Sequence, residues 1–258
     1  MSATELVLTD FAPARDDASV ERIATITMHR PEARNALSVE LIDALGDAVD
    51  AIAADPSVRV LILAGHGKSF CAGMDLKGVL ADAGRMAGML RRLSEVSRAI
   101  RRLPIPTIAR VQGAAVGGGC GLMVVPDFAI THPEAKVGYP EVGLGVCPAV
   151  VAPWLIRKIG AGPARAMLLA GGTVSGAEGH RMGLSTHLVA REELESTSLE
   201  LARALAGGGP QAMAVTKRWL NELDGSMEDA VFERAAALSA EVIAGDEAQA
   251  RLAKIFGS

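Results

Sequence analysis

One isolated carboxylate and two glycine-rich turns are the residues of this chain whose types and spacing indicate chemistry. Glu141 is the only charged residue within residues 137–156. If that stretch is interior, loss of solvation raises the pKa of the Glu141 carboxyl toward the range used in acid–base catalysis. The alternative is a solvent-facing or ion-paired glutamate in the turn that follows Tyr139 and Pro140.

The two glycine-rich turns are suited to presenting backbone N–H groups. Residues 69–76 (SFCAGMDL) follow an apolar run at 58–63, and their small side chains leave the backbone accessible. Residues 117–119 (GGG) open a short apolar helix, whose N-terminus offers unpaired N–H donors. Two such donors that converge would form an oxyanion hole, which stabilises a developing enolate or alkoxide. Close packing of a helix on a sheet is the alternative explanation for the triple glycine.

The elements that must position these residues alternate between strand and helix patterns. Apolar alternation or short apolar runs predict strands at 21–28, 58–63, 107–111 and 127–131. Helical spacing predicts a helix that Ser38 caps and Asp55-Pro56 ends, and a second helix from Met86 to Leu103. This alternation indicates an α/β fold.

The last quarter of the chain has only helical patterns. They cover 191–206, 210–224, 226–243 and 247–256, with glycines between them. We therefore predict an α/β core at residues 1–195 and a helical region for oligomerisation at residues 196–258.

Composition excludes several function classes. Half of the residues are hydrophobic, which excludes disorder, and the net charge of −4 with 3% aromatics disfavours nucleic-acid binding. Cys71, Cys120 and Cys147 have neither disulfide nor zinc spacing, and packing explains Cys120 and Cys147. G-x-G-x-x-G and G-x-S-x-G motifs do not occur. With no apolar signal or membrane segment at its N-terminus or elsewhere, the chain is expected in the cytoplasm.

Several segments, in this order and spacing, resemble the enoyl-CoA hydratase/isomerase (crotonase) superfamily. The matching segments are 30–38 (RPEARNALS), 69–76 (SFCAGMDL), 113–119 (GAAVGGG), 139–145 (YPEVGLG), and 175–178 (SGAE) with 183–184 (GL). The resemblance runs from about Ile23 to the C-terminus. It implies a spiral of repeated β-β-α units with a C-terminal helical trimerisation region, assembly as a homotrimer or a dimer of trimers, and an acyl-CoA thioester as substrate.

The resemblance also implies roles for individual residues. The backbone N–H groups of Met74 and Gly118 would be the oxyanion donors, and Glu141 the catalytic base. The expected contacts with CoA and substrate are Arg30, Arg34, Ala36, Ala72, Asp75, Leu76, Gly117, Tyr139 and Pro140. Tyr139 and Trp154 would line the acyl pocket, although core packing equally explains Trp154. No metal or separate cofactor is implied, because CoA is part of the substrate.

One departure from the family pattern narrows the expected reaction. Hydratases of the family use two glutamates, and the first lies where this chain has Gly121. A 3-enoyl to 2-enoyl-CoA isomerase needs a single base, so the lone Glu141 favours isomerisation. The alternatives are a single-glutamate hydratase, including the 3-methylglutaconyl type, and a thioester decarboxylase. A dehalogenase is disfavoured, since Ala149 stands where that branch has a carboxylate. A non-catalytic acyl-CoA-binding or scaffold protein is the alternative from another class.

Overall fold

The computed structural model describes residues 5–15, 20–76 and 82–256, and two β-sheets organise them. The strands of the larger sheet lie in the order β1, β2, β3, β5, β7, β10, and those of the smaller sheet in the order β4, β6, β8, β9. In the larger sheet the strands are β1 (Val7–Pro13), β2 (Arg22–Met28), β3 (Val58–Gly65), β5 (Thr107–Val111), β7 (Phe128–Thr131) and β10 (His187–Leu188). In the smaller sheet they are β4 (Ser69–Cys71), β6 (Ala114–Val116), β8 (Lys136–Gly138) and β9 (Thr173–Ser175).

In each successive pair of strands, one strand lies in the larger sheet and the other in the smaller sheet. β3, β5 and β7 each join the larger sheet, and the strand that follows each of them, β4, β6 or β8, joins the smaller one. A helical segment then leads to the next pair, so the chain repeats a β-β-α unit. Pairing within β3–β5–β7 and within β4–β6–β8 is parallel, which stacks the repeats in register. The expected spiral of β-β-α units is confirmed.

The predicted strands and long helices are present with small shifts at their ends. Strand β3 is buried almost throughout because it lies between two others, as its largely apolar sequence predicts, and Arg59 is the charged exception within it. Helix α1 (Val39–Ala54) begins after Ser38, whose hydroxyl accepts the Leu41 N–H at 3.2 Å. Helix α2 (Ala83–Arg102) ends one residue before Leu103, ahead of Pro104.

Six shorter helices lie between the core strands and in the C-terminal region. They are α3 (Gly118–Val124), α4 (Ala152–Ile159), α5 (Ala161–Ala170), α6 (Gly176–Arg181), α7 (Leu194–Ala206) and α10 (Asp246–Phe256). The predicted helix at 191–206 begins as a 3₁₀ turn at Arg191–Glu193 before α7. Helix α7 packs on the outer face of the larger sheet, where Ala202 and Ala206 join a buried cluster with Ile62.

Two longer C-terminal helices, α8 (Pro210–Leu223) and α9 (Asp229–Ala244), lie against α2. The start of α9 is three residues later than predicted, because the Ser226 N–H bonds to the Asn221 carbonyl and the Asp224 carboxylate in a turn. Lys217 of α8 is buried and forms a 2.8 Å ion pair with Asp127, next to β5 and β7. No helix in the described part of the chain is long and apolar enough to cross a membrane.

Candidate active site

A cavity of about 140 Å³ lies where the smaller sheet, α2 and α9 meet. Its walls bring together residues between Ala72 and Ile243 that are far apart in sequence. They are Ala72, Gly73, Met74, Leu76, Leu90, Leu93, Val116, Gly117, Gly118, Pro140, Glu141, Leu144, Val146, Cys147, Pro148, Val150, Val151, Ser239 and Ile243. Both glycine-rich turns and the lone carboxylate therefore border the same cavity.

The first glycine-rich turn presents Met74. Leu37 forms a parallel bridge with this residue: the Leu37 N–H bonds to the Gly73 carbonyl at 2.8 Å, and the Asp75 N–H bonds to the Leu37 carbonyl at 2.9 Å. Because adjacent peptide groups of an extended chain point to opposite sides, the Met74 N–H faces away from Leu37. It donates to no acceptor among the described residues. Gly73 has φ +99°, and a Cβ there would lie 2.9 Å from the Val116 carbonyl oxygen, so the turn requires glycine.

The second glycine-rich turn presents Gly118 as the first residue of α3. Gly117, in front of it, donates to the Gly138 carbonyl at 2.8 Å, whereas the Gly118 N–H has no partner in the described part of the chain. Gly119 packs directly on β4: a Cβ on this residue would lie 2.2 Å from the Cys71 carbonyl oxygen. The packing explanation of the triple glycine thus holds at Gly119, while Gly118 lines the cavity.

Glu141 opens a 3₁₀ turn (Glu141–Leu144) directly after Pro140. Its carboxylate lies against Gly117, since a Cβ on that glycine would be 2.9 Å from the Glu141 Oε1 atom. The Oε2 atom is buried and accepts no hydrogen bond from the described residues. Burial raises the pKa of Glu141 from 4.5 to about 7, against a lowering contribution from a backbone hydrogen bond. Near neutral pH, the Glu141 carboxyl group can therefore both accept and release a proton.

The position of Gly121 leaves no room for a side chain. It lies on the buried face of α3, and a Cβ built on it would be 2.5 Å from Cγ1 and 3.3 Å from Cβ of Val151. Val151 lines the cavity and is almost fully buried. The space next to Gly121 is thus occupied by a β-branched residue, and Glu141 is the one carboxylate among the described residues that borders the cavity.

The early loop and the first glycine-rich turn are joined into one edge beside the cavity. The Ala72 N–H bonds to the Arg34 carbonyl at 3.1 Å, and Arg30 Nη1 donates to Asp75 Oδ2 at 2.6 Å and to the Ala36 carbonyl at 3.1 Å. These five predicted contacts therefore lie together, although only Ala72 is part of the cavity wall. The exposed Arg34 guanidinium has no ion pair among the described residues, whereas that of Arg30 is held by Asp75.

Comparison with known proteins decides the family. The family model described as "Enoyl-CoA hydratase/isomerase" matches residues 19–254. The chain belongs to the enoyl-CoA hydratase/isomerase family. A crotonyl-CoA hydratase of Syntrophomonas wolfei is 37% identical over 78% of this chain and 79% of its own length. A short-chain-enoyl-CoA hydratase of Clostridium acetobutylicum is 34% identical over 78% of each chain. The crystal structure of an enoyl-CoA hydratase from Mycobacterium avium superposes with a TM-score of 0.83 over 96% of both chains at 29% identity.

Membership in the enoyl-CoA hydratase/isomerase family establishes an enzyme of the hydratase or isomerase type and implies an acyl-CoA substrate. The non-catalytic alternative is thereby set aside.

Two residues expected near the acyl group lie elsewhere. Tyr139 is fully buried in the main core and is not part of the cavity wall. Trp154 stacks on Phe232 with ring centroids 4.4 Å apart, which is the packing role considered for it.

Three cysteines have different surroundings in this member of the enoyl-CoA hydratase/isomerase family. Burial raises the pKa of both Cys71 and Cys120 to about 12, so these thiols stay neutral and act as packing groups. Cys147 differs, because it is partly exposed and lines the cavity. No group of residues in the described ranges has the composition of a metal site.

Sequence reasoning missed the part of the cavity wall that has no motif. It consists of Leu90 and Leu93 of α2, Val146, Pro148, Val150 and Val151 in the segment before α4, and Ser239 and Ile243 of α9. These are ordinary apolar or small residues in helical or turn patterns, so only the fold brings them to the site.

Asn35 is a further supporting residue of the early loop. It is fully buried with φ +54°, its Oδ1 accepts the Arg30 N–H at 2.9 Å, and its Nδ2 donates to the carbonyls of Ser69 and Phe70. We expect Asn35→Ala to lower the free energy of unfolding by about 3 kcal/mol, because buried carbonyls lose their donor. Arg34→Ala is the matched control: Arg34 has the same φ but is exposed, and we expect a change below about 1 kcal/mol. Urea denaturation measures both, and equal losses would contradict this role of Asn35.

Proposed function

We propose that this enzyme converts 3-enoyl-CoA thioesters into 2-enoyl-CoA thioesters, with Glu141 as the single base. The observation that carries the proposal is the pairing of one cavity carboxylate with Val151 in the space beside Gly121. A proton shift along the acyl chain needs one group that both accepts and donates a proton. Hydration additionally has to hold and orient a water molecule, for which a second carboxylate is suited.

The proposed reaction begins with the thioester oxygen accepting hydrogen bonds from the Met74 and Gly118 N–H groups. Glu141 removes a proton from C2, and the electron pair of that C–H bond moves into the conjugated system to give a dienolate. The two N–H groups stabilise the negative charge on the oxygen. Glu141 then returns the proton to C4, which leaves the double bond between C2 and C3. Only a proton moves, so the reaction as proposed needs no redox or metal cofactor.

The electrostatics of Glu141 support this assignment. A pKa of about 7 gives a base that is substantially ionised at neutral pH and, once protonated, an acid able to release the same proton. Gly117 allows the carboxylate to approach the start of α3, because any Cβ there would contact Oε1.

For the CoA part of the substrate, we propose contacts along the edge formed by the early loop and the first glycine-rich turn. Arg34 is the better candidate for a CoA phosphate, since Arg30 is already paired with Asp75. Ala36, Ala72 and Leu76 offer small or apolar surface beside it. Asp75 then acts by fixing Arg30 rather than by touching CoA.

Hydration of 2-enoyl-CoA is the second candidate, favoured by the names of the relatives, which are called hydratases. In that reaction Glu141 would activate a water molecule that adds to C3, and the same two N–H groups would stabilise the enolate.

The two reactions are separated by supplying both substrates to the same enzyme preparation. We expect 3-hexenoyl-CoA to be converted to 2-hexenoyl-CoA at least about tenfold faster than 2-hexenoyl-CoA is hydrated. Chromatography of the thioesters measures both rates. In deuterated buffer, protium rather than deuterium at C4 of the product would support transfer of the C2 proton by one shielded base. A hydration rate equal to or above the isomerisation rate would replace the proposal by the second candidate.

We also propose that the enzyme assembles as a homotrimer or a dimer of trimers. Helix α8 supports this, because Val215, Trp219, Leu220 and Leu223 are large apolar residues exposed on its surface. Light scattering measures the mass, and a monomer at micromolar concentration would exclude both assemblies.

A further inference from the structure

Two elements that are distant in sequence form part of the cavity wall. One is the segment at residues 146–151, which lies between the 3₁₀ turn of Glu141 and helix α4. The other is the C-terminal half of α9, which contributes Ser239 and Ile243. The first segment is joined to the base as well, because the Val146 N–H donates to the Glu141 carbonyl at 2.9 Å.

Ser239 connects these two elements through a pair of hydrogen bonds. Its Oγ accepts the Val150 N–H at 3.1 Å and donates to the Cys147 carbonyl at 2.9 Å. Ser239 is almost fully buried, so loss of its hydroxyl would leave two backbone groups without this partner. The Ser239 side chain therefore joins α9 to the 146–151 segment by two hydrogen bonds.

The content of the cavity wall limits what the cavity can hold. Among the described residues, the ionisable groups of this wall are Glu141 and Cys147, and no cationic side chain reaches it. Leu90, Leu93 and Ile243 supply buried apolar surface. The volume of about 140 Å³ compares with about 150 Å³ for an apolar cavity that takes up one benzene molecule of six carbons.

We infer that this enzyme selects short, uncharged acyl groups of about four to six carbons, and that α9 sets this limit through Ile243 and Ser239. Ile243, a buried apolar residue of the cavity wall, is the specificity-determining residue. Ser239 is a positioning residue that holds the 146–151 segment against it. The inference rests on the proposed function for the identity of the substrate, but it concerns the cavity and can be tested by binding alone.

The first test measures the binding of saturated acyl-CoA thioesters, which cannot react, by calorimetry. From acetyl- to hexanoyl-CoA we expect affinity to rise by about fourfold for each methylene buried. From hexanoyl- to decanoyl-CoA we expect no further gain. A rise that continues through decanoyl-CoA would overturn the limit. This result does not depend on turnover, so an enzyme with the expected binding profile but no isomerase activity would refute the proposed function alone.

The second test compares pentanoyl-CoA with glutaryl-CoA, which has the same number of acyl carbons but ends in a carboxylate. We expect glutaryl-CoA to bind at least about tenfold more weakly, because its charge would be buried in a wall where no described residue offers a cation. Equal affinity would overturn the exclusion of charged acyl groups and return the 3-methylglutaconyl type to consideration.

The third test changes α9 itself. In Ile243→Ala, the ratio of octanoyl- to butyryl-CoA affinity should rise about tenfold, because the removed side-chain carbons leave room for about two methylenes. Val242→Ala is the matched control, since Val242 is adjacent on α9, exposed, and not part of the cavity wall. An unchanged ratio in Ile243→Ala, or the same change in Val242→Ala, would overturn the assignment.

Ser239 is tested by the pair Ser239→Ala and Ser239→Thr. We expect Ser239→Ala to lose chain-length discrimination and Ser239→Thr, which keeps the hydroxyl, to retain most of it. If both variants lose stability equally and keep the wild-type ratio of octanoyl- to butyryl-CoA affinity, Ser239 has only a structural role.

Discussion

We expect Glu141→Gln to lower kcat by a factor of about 10²–10⁴, the range that a positioned acid–base group contributes. The amide keeps the shape of the side chain but cannot accept and return a proton. We expect the affinity for a saturated acyl-CoA to change by less than about threefold, because the oxyanion donors and the cavity wall remain. Discontinuous assays with 3-hexenoyl-CoA measure the loss of kcat, and calorimetry measures the binding of the saturated acyl-CoA.

The matched control for this substitution is Glu233→Gln on the exposed face of α9, away from the cavity. It should leave kcat within about twofold of the wild-type value. Turnover of Glu141→Gln at the rate of this control, on every enoyl-CoA offered, would remove Glu141 from the mechanism.

The same residue makes activity and stability depend on pH in opposite directions. Because removal of the C2 proton needs the carboxylate form, kcat/KM should rise with pH and level off above about 7, the pKa of Glu141. Between pH 4.5 and about 7 the folded protein retains a proton that the unfolded chain releases, so stability falls as pH rises across this window. Above about pH 7, the difference between the pKa of Glu141 in the folded protein and in the unfolded chain corresponds to a loss of about 3 kcal/mol in the free energy of unfolding.

Glu141→Gln should therefore be more stable than the wild type at pH 8, by up to about 3 kcal/mol, and equally stable at pH 4. Urea denaturation at the two pH values measures this. A constant difference between the two proteins, independent of pH, would mean that Glu141 does not titrate as its burial predicts.

How far the sequence predicts the fold depends on the length of each element. Apolar periodicity places β3, α1 and α2 within a few residues, because each has several turns or alternations to count. Strands β4, β6 and β8 have only three residues each, and no periodicity is measurable over three positions. Their partners are set by the β-β-α repeat, which becomes visible from the sequence only through the family resemblance.

The residues of the candidate site also differ in how well the sequence predicts them. Met74, Gly118 and Glu141 stand in motifs, and the structure brings all three to one cavity. Ser239 and Ile243 are separated from these motifs by about a hundred residues and resemble any other residue on a buried helix face. Their part in the site depends on how α9 packs, which no local pattern encodes. Val151 likewise fills the space that a side chain at position 121 would need, and these two residues are thirty positions apart in sequence.

Because of the contact between Gly121 and Val151, we expect that Gly121→Glu alone does not create a hydratase. Hydratases of the family have a glutamate at this position, but in this chain a Cβ there would lie 2.5 Å from Val151 Cγ1. Val151 is β-branched and buried, so it has few other rotamers to adopt. We expect Gly121→Glu to be strongly destabilised, through overpacking and through burial of a second negative charge near Glu141.

A double-mutant cycle with alanine isolates the steric part of this effect. We expect Gly121→Ala to lower the free energy of unfolding by about 1–3 kcal/mol and Val151→Ala to lower it by about 2 kcal/mol. The double variant should lose at least about 1 kcal/mol less than the sum, because the new methyl group occupies space that Val151 vacates. Urea denaturation of the four proteins gives the coupling, and strict additivity would show that the two positions do not compete for space.

With that space opened, the chemistry can be tested in the background of Val151→Ala. Adding Gly121→Glu to it should raise hydration of crotonyl-CoA at least about tenfold above Val151→Ala alone, since the second carboxylate can now help Glu141 to hold a water molecule. Adding Gly121→Gln instead is the control that fills the same volume without a charge. If wild-type enzyme already hydrates crotonyl-CoA as fast as the Gly121→Glu/Val151→Ala variant, one carboxylate suffices for hydration, and the geometry at Gly121 no longer argues for an isomerase.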